Sequence, residues 1–159
     1  MKRAHILAWG ALAAAALALS TGLFRIKETA MAETGPSTDL SQLRKFIALP
    51  AEPETVRFEL LPAPAKGEGH LCAALTFSLA EAERIIGAAP PERPGGGMLT
   101  ITVPASLDPA ANGVTTDGNG LQSTGLPIYP PDPFARSPYL QGFFISPGPG
   151  RILLCLAAN

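Results

Sequence analysis

Residues that carry chemistry are scarce in this 159-residue chain. It has two cysteines, two histidines and one tryptophan, and charged residues make up 16%, below the roughly 25% of an average soluble domain. His5 lies in an apolar N-terminal stretch, so any histidine-dependent reaction in the rest of the chain has only His70. His70 and Cys72 would share one face of a strand, but no further cysteine and histidine pair supplies the remaining ligands of a metal ion. The sequence therefore predicts no metal site and no cofactor.

Motifs of common enzyme classes are also missing. No Gly-x-Ser-x-Gly occurs, and the stretch 117–120 (Asp-Gly-Asn-Gly) fails as an EF-hand loop because Leu121 and Gln122 stand at its fifth and sixth positions. From Glu33 onward, eight lysines and arginines face twelve aspartates and glutamates, which argues against nucleic acid as a partner. These absences favour a non-catalytic protein.

The N-terminus contains the longest uncharged run. Residues 6–24 carry no charge and follow Lys2 and Arg3. Nineteen residues suffice for a helix across the ~30 Å hydrocarbon layer, and the basic start favours an N-terminus in the cytoplasm. We therefore expect a single-pass inner-membrane anchor with the body in the periplasm. The alternative is a cleaved signal peptide within residues 1–32 and secretion to the periplasm. In both cases residues 33–159 form one extracytoplasmic domain.

The stretch from His70 to Gly87 predicts a strand that runs into a helix. Both faces of Leu71 to Phe77 are largely apolar, as in a strand inside a sheet. Ser78 and Glu81 have the spacing of a capping box. The helix is expected at 79–86, with a buried stripe formed by Leu79, Ala82, Ile85 and Ile86.

The remaining patterns complete an α+β prediction. A short helix is expected near Asp39 because Leu40, Leu43, Phe46 and Ile47 share one helical face. That helix either packs on the domain or is offered to a membrane partner. Four more strands are expected, at Thr55 to Leu61, Met98 to Val103, Tyr139 to Ile145 and Arg151 to Leu156. We expect a small, mostly antiparallel sheet with one or two short helices.

Proline and glycine are abundant, with 17 and 16 residues, and they are dense in a long loop at residues 104–138. Residues 105–137 show no sustained apolar periodicity, and loops of that length are usually functional or disordered. We expect its apolar and aromatic residues Ile128, Tyr129 and Phe134 to contact a protein partner. The alternative is that the rings fold back over the sheet and cap its core.

The two cysteines, Cys72 and Cys155, lie on predicted inner strands. In an oxidising compartment two cysteines most simply form a disulfide; the alternative is two separately buried thiols. Together these patterns predict a non-catalytic bacterial envelope protein, an accessory or interaction subunit with a protein partner at the inner membrane or in the periplasm. The alternative from another class is a small periplasmic ligand-binding protein or enzyme that uses the 105–137 loop.

Overall fold

The computed structural model describes residues 35–62 and 69–159. Its two α-helices are α1 (Leu40–Leu43) and α2 (Leu79–Ile86). Its strands are β1 (Thr55–Leu61), β2 (His70–Thr76), β3 (Gly97–Met98), β4 (Val114–Thr116), β5 (Gln122–Thr124), β6 (Tyr139–Gly148) and β7 (Arg151–Ala158). All strand pairs are antiparallel. The domain is therefore mostly antiparallel sheet with a few short helices.

The main sheet has the strand order β1-β2-β7-β6. β2 and β7 occupy the centre because both of their faces are apolar, whereas β1 alternates exposed and buried residues. β6 and β7 form the expected hairpin, with Gly148 opposite Arg151. At Gly142, φ is +143° and a Cβ atom would clash with the Cys155 carbonyl, so only glycine fits there. β6 therefore approaches β7 closely at Gly142.

We call one face of the main sheet the helix face, since the helical segments cover it. Ser78 caps α2 by accepting a hydrogen bond from the Glu81 backbone N–H, at 3.3 Å. The Glu81 carboxylate does not complete the capping box and pairs with Arg84 instead. Of the predicted buried stripe, Ala82 and Ile85 are buried and Ile86 is half-buried, whereas Leu79, the first residue of α2, is exposed.

The N-terminal helix is shorter than its apolar pattern. α1 spans four residues, and the Asp39 side chain accepts hydrogen bonds from the backbone N–H groups of Ser41 and Gln42. Leu43 and Ile47 are buried in the core on the helix face. This helix packs on its own domain, as one of the two interpretations predicts.

The opposite face, which we call the loop face, is covered by residues 97–128, the cover. It contains the three-stranded sheet β3-β5-β4 and two 3₁₀ turns, Ala105–Leu107 and Ala110–Asn112. The prediction of a strand from Met98 to Val103 is wrong beyond Met98, because β3 ends at that residue. Ile101 and Val103 are buried as expected, but they pack on the loop face without joining the main sheet.

The predicted anchor at residues 6–24 lies outside the described residues. Within 35–62 and 69–159, no helix is long and apolar enough to cross a bilayer.

Candidate functional site

The long segment 104–138 divides between the two faces of the main sheet. Its first part belongs to the cover on the loop face. At Tyr129 the chain reaches the edge of β6, where Tyr129 and Phe144 exchange backbone hydrogen bonds of 2.9 and 3.1 Å. The residues that follow reach the helix face, where Phe134 joins the core. The segment is therefore an ordered wrap around one edge of the sheet.

Gln122 holds the centre of the cover together. Its side-chain amide donates to the Val103 carbonyl at 3.0 Å and accepts from the Val103 N–H at 2.6 Å. The side chain thus makes the two bonds that a neighbouring strand would otherwise make. This explains how Val103 lies buried without belonging to a sheet.

Asn112 and Thr124 extend this internal bonding. The Asn112 amide donates to the Leu107 carbonyl at 2.7 Å and to the Asp108 carbonyl at 3.0 Å. The Thr124 hydroxyl donates to the Gly113 carbonyl at 2.8 Å. Since Asn112, Gln122 and Thr124 are the buried polar residues of the described chain, its buried polar groups serve to hold the cover in shape.

Three side chains attach the cover to the main sheet. Arg57 of β1 donates to the Ser106 carbonyl at 2.7 Å, and the Ser106 hydroxyl donates to the Glu59 carboxylate. Arg151 of β7 donates to the Asn112 side-chain oxygen at 2.9 Å. The 3₁₀ turns are therefore attached to both β1 and β7 by charge-assisted hydrogen bonds.

A disulfide joins Cys72 and Cys155 under the cover, as the sequence predicted. The two cysteines lie directly opposite each other on β2 and β7, with their Cα atoms 4.2 Å apart. Both residues are 0% exposed. The alternative of two separate thiols is therefore wrong, and the bond links strands that the sheet already places side by side.

The three predicted contact residues lie inside the domain or against it. Ile128 is 1% exposed and belongs to the loop-face core, whereas Phe134 is 0% exposed on the helix face. The Tyr129 ring stacks on Phe144 with centroids 4.9 Å apart, and Phe134 meets the same ring edge-on at 5.5 Å. The structure thus matches the alternative in which the rings cap the core. A partner contact at Ile128, Tyr129 or Phe134 stays a prediction. Tyr129 is half-buried, whereas a contact at Ile128 or Phe134 requires the segment to detach.

The sequence patterns did not indicate an exposed apolar surface on the small sheet of the cover. Met98 and Leu121 are 50% and 53% exposed. Met98 lies opposite Ser123, whose hydroxyl contacts Thr115 across the strand pair. Leu121 precedes Ser123 by two residues, which places it on the same side of an extended chain. We call the set Met98, Thr115, Leu121 and Ser123 the outer patch. Alternation from Met98 to Val103 could have shown that Met98 points outward when Leu99 points inward.

Two titratable side chains border the outer patch: the Arg93 guanidinium donates to the Met98 carbonyl at 2.7 Å, and the Asp117 carboxylate accepts from the Leu121 N–H at 2.9 Å. His70 starts β2 in a half-buried position opposite Leu61. In the part of the chain that is described, no group of three or more His, Cys, Asp or Glu side chains is placed to hold a metal ion. Burial raises the pKa of the Tyr139 phenol above its ordinary value, but this ring packs edge-on against Phe46 in the helix-face core.

Any function must be inferred from the residues of the chain itself. No protein-family model, curated protein or solved structure matches it.

Proposed function

We propose that this chain is a non-catalytic bacterial envelope protein, an accessory subunit that binds a protein partner at the inner membrane or in the periplasm. The observation that carries the proposal is that the buried polar side chains of the cover hold the cover itself, so that they are not free to bind a ligand. Asn112, Gln122 and Thr124 bond to backbone groups of the cover itself. The side chains turned to solvent on the cover's small sheet are apolar or hydroxyl-bearing, and none is charged.

The location is inferred from two features. A disulfide between Cys72 and Cys155 is typical of proteins outside the cytoplasm. The uncharged run at residues 6–24 favours membrane attachment or export, although it lies outside the described residues. An anchored or exported domain without catalytic motifs fits an accessory role.

The outer patch is the surface we propose for the partner. Met98 and Leu121 present large apolar side chains beside the hydroxyl groups of Thr115 and Ser123. Methionine is enriched at protein interfaces, and its flexible thioether adapts to a partner's shape. The alternative, a ligand site or enzyme within the 105–137 loop, gains no support from these contacts, because the loop's buried polar side chains bond to backbone groups of the cover and, at Asn112, to Arg151 of the sheet.

Co-purification tests the proposal. The full-length chain, tagged at its C-terminus, is recovered from detergent-solubilised membranes, and its associated proteins are quantified. We expect a defined partner to be retained by the wild type and lost with M98E/L121E. The matched control is L79E, since Leu79 is 56% exposed on α2, away from the outer patch, and it should retain the partner.

Two results would refute it. If M98E/L121E recovers the same partner as the wild type, the outer patch is not the contact surface. If no protein is enriched above an unrelated tagged membrane protein, the accessory role itself is wrong. Equal thermal stability of the wild type, M98E/L121E and L79E must accompany the expected loss of the partner, so that loss of folding is not mistaken for loss of binding.

A further inference from the structure

The cover contains the same reactive dipeptide twice. In Asn112-Gly113 and in Asn119-Gly120, a glycine directly follows an asparagine. The backbone nitrogen of the glycine can attack the side-chain carbonyl carbon of the asparagine, because glycine has no Cβ atom to hinder the approach. The structure surrounds the two asparagines differently, and this difference decides which of them reacts.

Three hydrogen bonds hold the Asn112 side chain, which is 5% exposed. Its nitrogen donates to the Leu107 and Asp108 carbonyls at 2.7 and 3.0 Å, and its oxygen accepts from Arg151 at 2.9 Å. An attack by the Gly113 nitrogen requires this side chain to turn away from its partners, and each buried hydrogen bond that is lost opposes the reaction. Asn112 is therefore protected while the cover is folded.

Asn119 lies at the tip of the hairpin that joins β4 to β5, where residues 117–121 are all exposed. Its backbone N–H donates to the Asp117 carboxylate at 2.8 Å, but its side chain forms no hydrogen bond with residues 35–62 or 69–159. A Cβ atom at Gly120 would meet nothing within 4 Å. The tip therefore has room for the Asn119 side chain to approach the Gly120 nitrogen.

One backbone hydrogen bond must open before this attack. The Gly120 N–H donates to the Asp117 carbonyl at 3.1 Å, and at an exposed position water replaces such a bond at little cost. Two further hydrogen bonds, each of 2.9 Å, keep Asp117 and Leu121 together meanwhile. The opening therefore withdraws no side chain from the core.

We propose that Asn119 is a site of spontaneous deamidation in the folded protein and that Asn112 is protected from it. The Gly120 nitrogen forms a bond to the side-chain carbon of Asn119 and loses its proton, and the side-chain amide leaves as ammonia. Water then opens the cyclic imide at either of its carbonyls, which gives aspartate or isoaspartate. The net reaction consumes one water and releases one ammonia, with no oxidant or reductant.

The reaction adds a negative charge beside the outer patch. The new carboxylate at position 119 joins that of Asp117, which already accepts from the backbone N–H groups of Asn119 and Leu121. Leu121 belongs to the outer patch, so the border of this patch becomes more acidic as the protein ages. The chemistry needs no partner and is independent of the partner surface proposed above.

Peptide mapping of the wild type is the first test. The folded protein and a guanidinium-denatured sample are incubated at the same mildly alkaline pH, then reduced and cut with a protease that cleaves before aspartate. Asn112 is then on peptide 108–116 and Asn119 on peptide 117–131. In the folded sample we expect deamidation to be at least about tenfold faster at Asn119, the ratio that one buried hydrogen bond gives. In the denatured sample the two rates should be similar.

The products identify the route. Aspartate at position 119 creates a new cleavage site, whereas isoaspartate leaves peptide 117–131 uncut with a raised mass. Both products are expected because the ring opens at either carbonyl, and aspartate alone would overturn the attack by Gly120. Equal rates at Asn112 and Asn119 in the folded sample would overturn the site. So would an unreactive Asn119 in the folded protein when the denatured sample reacts.

Two glycine variants of the hairpin tip supply the second test. G120A adds a methyl group beside the attacking nitrogen and should slow deamidation of Asn119 severalfold. Strain from alanine at φ +81° would loosen the tip and speed the reaction, so slower deamidation reports the methyl group. G118A adds the same group where nothing lies within 4 Å, and it should leave the rate unchanged. Equal rates for the two variants, both shown to be folded by thermal melts, would contradict the proposal.

Discussion

Gln122 is expected to stabilise the cover more than any exposed residue around it. In the wild type, the Val103 N–H donates to the Gln122 side-chain oxygen at 2.6 Å, and the Gln122 side-chain nitrogen donates to the Val103 carbonyl at 3.0 Å. Replacing Gln122 with alanine leaves both backbone groups of Val103 without these partners. Val103 is 1% exposed, so water does not easily replace the lost bonds. Each buried group left unpaired costs about 1–3 kcal/mol, and Q122A, which leaves two of them, should therefore lower the free energy of unfolding by about 2–6 kcal/mol.

A glutamate at the same position separates hydrogen bonding from packing. Q122E keeps the size of the side chain and can accept from the Val103 N–H, but its ionised form faces the Val103 carbonyl without a proton to donate. Burial and that carbonyl should raise the pKa of the introduced carboxyl above its ordinary value of about 4.3. A raised pKa in the folded state means that stability is fully present below about pH 4.3 and is lost as the pH rises through the folded-state pKa.

Urea denaturation at two pH values measures both effects. The difference in unfolding free energy between Q122E and the wild type should be larger at about pH 8 than at about pH 4, whereas that of Q122A should change little. A loss below about 0.5 kcal/mol in Q122A, the range of an ordinary surface substitution, would refute the role assigned to the side chain. A pH-independent deficit in Q122E would refute the donor bond to Val103.

Three further outcomes are expected. Replacing Tyr129 and Phe134 together with alanine should cost at least the roughly 3–5 kcal/mol of one buried aromatic ring, and an unchanged melting temperature would return these rings to a docking role. Burial raises the pKa of the Tyr139 phenol, so the contribution of this phenol to stability should be fully present below about pH 10 and be lost above it. Thermal melts of the wild type and Y139F measure this loss, and equal losses in both proteins would exclude Tyr139 as the cause. C72A/C155A should lose about 4.5 kcal/mol in the loop-entropy estimate for a bridge across 83 residues. It should keep its far-ultraviolet circular dichroism, since β2 and β7 remain paired along seven positions; loss of that signal would show that the sheet depends on the bond.

The main sheet could be predicted because its signals are local and repeated. The predicted bounds of β1 and α2 match the structure, and β2 differs by one residue at each end. In each case a run of seven or eight residues keeps one periodicity and is ended by a turn or capping residue. β6 and β7 were found for the same reason, with proline and glycine between them.

The cover could not be predicted in this way. Its buried residues Leu107, Val114 and Ile128 are separated by turns, and positive φ angles at Asp108 and Gly113 redirect the chain between them. The contacts that fix it are long-range side-chain bonds, such as the one from Gln122 to Val103, and sequence spacing does not indicate them.

The buried position of Phe134 could not be predicted for a related reason. Aromatic residues among prolines suggested a docking loop, but the side chain of Phe134 fills the core beside Phe144. The disulfide, by contrast, could be predicted because Cys72 and Cys155 are the only cysteines and both lie in apolar strands. Burial of an isolated aromatic residue depends on what the remote chain brings to it, whereas the number of cysteines already limits the pairing.

The state of the cysteines in the living cell tests most directly the claim that the domain works outside the cytoplasm. Cells are quenched in acid, the protein is denatured in N-ethylmaleimide without a reductant, and the intact mass is measured before and after reduction. We expect no maleimide on Cys72 or Cys155 until a reductant is added. A chain that carries two maleimides without reduction would mean that both thiols are free in the cell, which would contradict the oxidising compartment and the envelope function proposed from it.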